Sequence, residues 1–373
     1  MRVLLFSDAD VFAGTERHMF DLANGLKANG VEAAIASPTP SKLEEKAVAG
    51  GIQHIVIQKQ GLIDKAAISR LTELLKSGEI DIIHAHNGRT MLSAALAVTK
   101  AKKGKAVATQ HFLQPDHAAR KGPKAVIFAA AHRWVSGKLS HYVAISDAVR
   151  DAMVARNEAP ASRVTTIHNG MPPINTSAFL QATEVRKALG VPDGSVFILC
   201  AARLEKEKDI STLIKAISSA YRPDKPIFCA VAGTGQLREQ LQSEIQALGA
   251  EAYIHILGFR DDVLNLMSAC DLFVLPSLAE PFGLVVIEAM ALGKAVICTD
   301  AGGPREIVVN GSTGILVPPA DPAALAKAIS GLVNNPDEMA IMASAGLARY
   351  NSQFTAQRMA HEMIQLYTRV LTS

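Results

Sequence analysis

The stretch Leu272-Phe-Val-Leu-Pro-Ser-Leu-Ala-Glu280-Pro-Phe-Gly-Leu-Val-Val-Ile-Glu288-Ala-Met-Ala-Leu-Gly293 changes character twice. A short apolar run ends at Pro276, a polar loop carries Glu280, and helical spacing begins near Leu284. That is the strand–loop–helix unit of an open α/β sheet, in which ligands sit beyond the carboxyl ends of the strands. The backbone N–H groups of Phe282, Gly283 and Leu284 point out of the helix N-terminus, where a diphosphate binds well. Gly283 keeps the backbone open to close approach. Glu280 can accept hydrogen bonds from sugar hydroxyls, and Glu288, about one turn into the helix, can grip a vicinal diol such as a ribose. Taken alone, the two glutamates also read as a cap and as support for the helix dipole.

The same alternation extends in both directions. In the first half, strands are expected at 3–7, 32–36, 53–57, 80–84, 105–109, 141–145 and 164–168, with helical spacing between them at 16–29 and 68–77. Turn formers then cluster at Asn169-Gly170-Met171-Pro172-Pro173, and 174–183 has no strong period. A second series follows at 196–201, 227–232, 253–257, 272–276, 295–299 and 314–317. Strands alternating with helices imply parallel sheets covered on both faces. The expected architecture is α/β, with two Rossmann-like doubly wound domains facing a central cleft. An acceptor-side domain spans 1–172 and a donor-binding domain 173–352. The remainder, 353–373, contains an amphipathic helix at 357–371.

A chain of 373 residues suits two domains. Net charge is +3, unevenly placed: residues 1–175 carry 22 Lys and Arg against 15 Asp and Glu, and the rest 16 against 20. A basic first half hints at an anionic partner, and scattered solvated lysines account for the same asymmetry. Cys200, Cys229, Cys270 and Cys298 sit in or beside apolar runs without metal-ligand spacing, which reads as reduced core thiols in a cytoplasmic protein. The apolar run at 3–6 is too short for a signal-peptide core. No uncharged stretch of about 18 apolar residues is present to span a membrane.

Further clusters follow the expected strands of the second half. Ala202-Arg203-Leu-Glu-Lys-Glu-Lys208-Asp209 places two cations at a strand end, suited to neutralising a diphosphate leaving group. Gly233-Thr234-Gly235-Gln236-Leu237 and Gly258-Phe259-Arg260-Asp261 follow the next two strands. A lone Gly-x-Gly is weak evidence, since turns need glycine. In the first half, Ala13-Gly14-Thr15-Glu16 opens a helix after strand one, and Gln110-His111-Phe112 follows strand five.

Together these segments resemble the retaining glycosyltransferases of family 4. The likeness rests on Glu-x7-Glu, with its Glu-Pro-Phe-Gly-Leu core and following Glu-Ala-Met-Ala-x-Gly, and is strongest over 200–317. It implies the GT-B fold and retention of anomeric configuration. By resemblance Glu280 contacts the donor sugar and Glu288 the nucleotide ribose. Arg203 and Lys208 take the diphosphate, Gly233 belongs to a Gly-x-Gly-Pro-Leu segment, and Gly258 and Phe259 lie against the nucleobase. Gly14 belongs to a Gly-Gly-x-Glu loop near the reacting sugar and diphosphate, and His111 lies near the transferred sugar. Ala13, Ala202, Asp209 and Gln236 depart from the family pattern, as alanine, alanine, aspartate and glutamine in place of glycine, glycine, glycine and proline.

The implied substrate is a UDP- or GDP-sugar, with no required cofactor. No nucleophile with a partner base is readable, which points to front-face departure assisted by the leaving phosphate. Asp8-Ala-Asp10 spells a metal motif of a different glycosyltransferase fold but follows strand one, away from the donor features. His84, His86 and His111 suggest zinc, yet no carboxylate or cysteine completes a recognisable set, so no metal is expected. The acceptor side is read as a glycan, glycolipid or lipid-linked hydroxyl, with no role for nucleic acid. The basic runs at 100–105 and 120–124, the apolar run 125–131 and Trp134 could rest on anionic lipid at the inner face of a membrane, or be ordinary surface helices. A nucleotide-sugar 2-epimerase and a non-catalytic partner subunit remain rival readings. A dehydrogenase is disfavoured because no Gly-x-Gly-x-x-Gly follows strand one.

Overall fold

The computed structural model describes all residues except 59, 60, 62 and 115–132. The basic run at 120–124 and the apolar run at 125–131 thus lie outside the described residues. The chain divides into two compact units, Met1–Pro172 with Phe354–Ser373, and Pro173–Gln353.

The first unit holds seven parallel strands in the order β3-β2-β1-β4-β5-β6-β7. They are β1 (Arg2–Phe6), β2 (Glu32–Ser37), β3 (Gln53–Val56), β4 (Ile82–Ala85), β5 (Lys105–Gln110), β6 (His141–Ala144) and β7 (Val164–Thr166). Leu4 lies beside Ala34 on one side and Ile83 on the other, so β1 is central. Val3 to Phe6 are all buried, because a parallel strand is covered on both faces. The strand order reverses between β1 and β4, and a ligand crevice opens at such a reversal. Helix α1 (Gly14–Ala28) follows β1. Its start is closed by Glu16, whose carboxylate accepts from the Ala13 N–H at 3.1 Å and from the Ser7 hydroxyl at 3.1 Å.

The C-terminal helix, Ala356–Thr372, belongs to this unit. Its apolar stripe of Met359, Ala360, Met363, Leu366, Tyr367 and Val370 recurs at helical spacing and is buried with Met19, Leu22 and Leu26 of α1. The helices meet at Gly25, where an added Cβ would lie 2.7 Å from the Ala360 Cβ. Gly25→Leu is therefore expected to cost about 2–3 kcal/mol of unfolding free energy. Urea denaturation checks this, and an unchanged midpoint would show that the contact is not tight.

The second unit holds six parallel strands in the order β10-β9-β8-β11-β12-β13. They are β8 (Val196–Ala201), β9 (Ile227–Ala232), β10 (Ile254–Gly258), β11 (Leu272–Leu275), β12 (Ala295–Thr299) and β13 (Ile315–Val317). The reversal here falls between β8 and β11, so the loops after these strands are the ones to inspect. All four cysteines are free and buried, and burial pushes the Cys200 and Cys270 thiols up to about 12. They are inert packing groups. Among the described residues, no helix is long and apolar enough to cross a membrane.

Candidate functional site

Beyond β8 the chain makes a 3-10 turn, Lys206–Lys208, and beyond β11 it forms the loop carrying Glu280. The two meet. Lys208 Nζ lies 2.5 Å from Glu280 Oε2, with both side chains largely buried. The Ser277 hydroxyl donates to the same oxygen at 3.3 Å. The Glu280 backbone is gripped from the far side: its N–H donates to Ala301 O at 3.3 Å, and the Gly303 N–H donates to its carbonyl at 2.8 Å. Leu278 N–H donates to Glu207 O at 2.8 Å. A flexible loop would lose this pairing to solvent; here three strand-end segments hold it in one geometry.

The Glu280 loop leads into the helix Leu284–Ala291. Gly283 stands at its N-cap with φ +110°, a conformation that favours glycine. The N–H groups of Gly283 and Leu284 take no partner among the described residues, as expected for a helix's first turn. Phe282 is buried beneath this turn against Gly303, where an added Cβ would fall 2.3 Å from Phe282 Cα. Glu288 lies half-buried on the second turn of the same helix.

The remaining strand ends are stitched together by glycine. Gly233, directly after β9, has φ +154°, and its N–H donates to Gly258 O at 2.8 Å. A Cβ there would lie 1.9 Å from Ala202 O. Gly258 ends β10 with φ +79°, beside the Arg238 guanidinium. Phe259 follows and is 76% exposed. Arg203 is also exposed, and it pairs with Glu207 at 2.8 Å rather than with Glu280. Asp209 takes the left-handed conformation at φ +46° and accepts from the Thr212 hydroxyl at 2.7 Å. That hydrogen bond accommodates an aspartate where glycine would be the unstrained choice.

The structure thus brings Lys208, Glu280, Phe282, Gly283 and Leu284 together, with Gly233 and Gly258 adjoining each other and Arg203 held apart from the glutamate. Sequence reading missed Ser277, Glu207 and Gly303, which position these groups. The Gly302-Gly303 pair, separated by two residues from a strand end, was a legible signal for one of them.

Gly14 and His111 belong to the first unit. Gly14 is the exposed first residue of α1. His111 follows β5 and is buried, with its Nε2 3.1 Å from His86 Nδ1. His18, one turn into α1 and unremarked in the sequence, completes a triangle of buried rings. Desolvation pulls the His18 pKa down to about 4, and burial with neighbouring histidines lowers His86 and His111 well below the ordinary value. His111 therefore offers a neutral imidazole rather than a positive charge. His84 is spoken for: its ring nitrogens lie 2.6 Å from Tyr367 Oη and 2.7 Å from Thr109 Oγ1. Asp8 is bound by Arg89 at 2.7 Å and by the Asn87 amide at 2.7 Å, while Asp10 is exposed.

The model for glycosyl transferases group 1 matches residues 181–349, and that for glycosyltransferase family 4 matches residues 12–173. A phosphatidyl-myo-inositol mannosyltransferase of Mycobacterium leprae is 28% identical over 98% of this chain and 95% of its own. An alpha-maltose-1-phosphate synthase of Mycolicibacterium smegmatis is 29% identical over 78% of this chain and 79% of its own. The crystal structure of Anabaena HepE in complex with UDP superposes with a TM-score of 0.84 at 24% identity, covering 99% of this chain and 100% of that one. One family model lies on each half, and the doubly wound fold of both halves is that of the GT-B enzymes. The chain belongs to the group 1, family 4 glycosyltransferases.

Proposed function

We propose that this glycosyltransferase moves a hexose, with retention of configuration, from a UDP- or GDP-sugar to a hydroxyl of a glycan, glycolipid or lipid-linked acceptor. The observation that carries the reading is the Lys208–Glu280 pair beside an uncapped helix N-terminus. A cation, a carboxylate and outward N–H groups are the partners that a diphosphate and a sugar require.

In this reading Arg203, Lys208 and the N–H groups of Phe282, Gly283 and Leu284 take the diphosphate, so the donor needs no metal. Glu280 holds the sugar hydroxyls and Glu288 the ribose. Gly233 admits the phosphates, and Gly258 with the exposed Phe259 ring faces the base. Gly14 and the neutral His111 serve the transferred sugar from the first unit. The bond from the anomeric carbon to the phosphate oxygen breaks, and its electron pair stays on the phosphate. The acceptor oxygen bonds that carbon on the same face and passes its proton to the departing phosphate. Stabilising the leaving charge is the largest contribution the protein makes.

Support for the donor comes from HepE, whose structure holds UDP. Support for a lipid-linked acceptor comes from the M. leprae relative, whose name carries phosphatidyl-myo-inositol. Lys100, Lys102, Lys103 and Trp134, all exposed, are among the described residues that favour anionic lipid contact.

A thermal-shift panel of UDP-, GDP- and ADP-sugars tests the donor. A UDP- or GDP-sugar at about 100 times its Kd is expected to add about 2.7 kcal/mol of stability. Failure of every nucleotide sugar to raise the melting temperature would sink the reading. NMR of the product's anomeric proton tests retention.

A further inference from the structure

We propose that His18, His86 and His111 form a buried three-histidine site for a divalent transition ion of the zinc class. The ligands come from three neighbouring elements of the first unit: helix α1, the residue just past β4, and the residue just past β5. His111 is shared with the donor assignment, whereas His18 and His86 have no part in it, so the test reads metal binding through those two rings.

Geometry is the first argument. Nitrogens about 2.1 Å from a tetrahedral zinc stand about 3.4 Å apart, and their ring centres about 5 Å apart. His86 Nδ1 and His111 Nε2 are 3.1 Å apart, sharing a hydrogen bond that an ion between them would replace. The three ring centres are separated by 5.0, 5.4 and 5.5 Å, and one nitrogen of each ring lies within 4.8 Å of the other two.

Unmet bonding is the second. His18 is fully buried, and at most one of its two ring nitrogens is served, by the Asn169 side chain. A neutral imidazole carries one N–H and one lone pair, so His18 buries at least one of them unpaired. A metal ion takes a lone pair from each ring at once. It also demands neutral imidazoles, the form that burial enforces here. Imidazole nitrogen without thiolate or carboxylate suits zinc and its neighbours rather than magnesium or calcium.

Support from outside the ligands is the third. A metal-binding histidine normally directs its other N–H to an oxygen acceptor. Asn169 is placed to take that bond from His18, its side chain within hydrogen-bonding reach of the ring. Three ligands leave a fourth position open for water or a hydroxyl.

The test uses the full chain without an affinity tag, stripped with a chelator and titrated with zinc chloride by calorimetry, then with cobalt chloride by visible absorption. The expected result is one ion per chain, with the intense visible bands of four-coordinate cobalt. His18→Leu and His86→Ala should each weaken binding by at least roughly 100-fold, and Asn169→Ala by about 10-fold. Melting supplies a second readout. Without metal, His18→Leu should melt above the natural protein, because it deletes a buried polar ring with at least one unpaired nitrogen. With zinc present the order should reverse. No stoichiometric binding by folded protein, or binding that survives His18→Leu and His86→Ala, overturns the proposal.

Discussion

Glu280→Gln is expected to lower kcat/KM by about 100- to 1,000-fold while leaving the fold intact. Glutamine preserves the shape of the side chain, so the contact with Ser277 and the backbone bonds to Ala301 and Gly303 survive. What it removes is charge. Lys208 loses the carboxylate that fixes its ammonium at 2.5 Å, and the proposed donor sugar loses its strongest hydroxyl acceptor. Charged acceptors form markedly stronger hydrogen bonds than neutral amides, and their placement matters most where the barrier is set by a departing anion. Most of the loss should appear in kcat. Steady-state kinetics with an unchanged melting temperature is the check. A variant that retains the full transfer rate would remove Glu280 from the reacting centre.

Gly233→Ala is expected to abolish donor binding and to cost about 2–4 kcal/mol of stability. Its Cβ would lie 1.9 Å from the Ala202 carbonyl oxygen, a backbone atom that no side-chain rotation can clear. The loops after β8 and β9 must therefore part. That movement strains the Gly233 N–H to Gly258 bond and displaces the turn leading to Lys208. Gly331→Ala is the control. Gly331 lies inside the helix Pro322–Asn334 with open space around it, and alanine there should add up to about 1 kcal/mol. Urea denaturation of both variants, with a nucleotide-sugar titration of each, separates a local clash from a general intolerance of substitution. Normal donor binding by Gly233→Ala would show that this turn does not shape the site.

Both results bear on how much of the site the chain announces. Strand ends were legible because burial on both faces of a parallel sheet writes uninterrupted apolar runs. The runs at 196–201, 227–232 and 295–299 match the observed strands residue for residue. The strand expected at 80–84 instead begins at Ile82. Asp81, just before it, is engaged by Arg2, whose N–H donates to its carboxylate at 2.9 Å. A side-chain bond reaching 79 residues back leaves no periodic trace.

The Glu-x7-Glu segment was visible because its chemistry lies within one loop and one helix. Its partner was not. Nothing in the order of residues says that Glu280 closes on Lys208 rather than on Arg203, although both cations leave the same strand. The choice follows from the 3-10 turn at Lys206–Lys208 and the left-handed Asp209. His18 is a sharper case. Inside α1 it reads as one polar residue on an apolar face, and only the adjacency of β1, β4 and β5 brings it to His86 and His111.

By itself, then, the sequence determined two series of parallel strands and the loop that carries Glu280. These depend on hydrophobic periodicity and turn chemistry, which act over a few residues. Tertiary structure alone decided which charges pair, why Gly233 and Gly303 admit no side chain, and that three distant histidines form one buried cluster. Those outcomes depend on distances between segments far apart in the chain, and local order does not encode them.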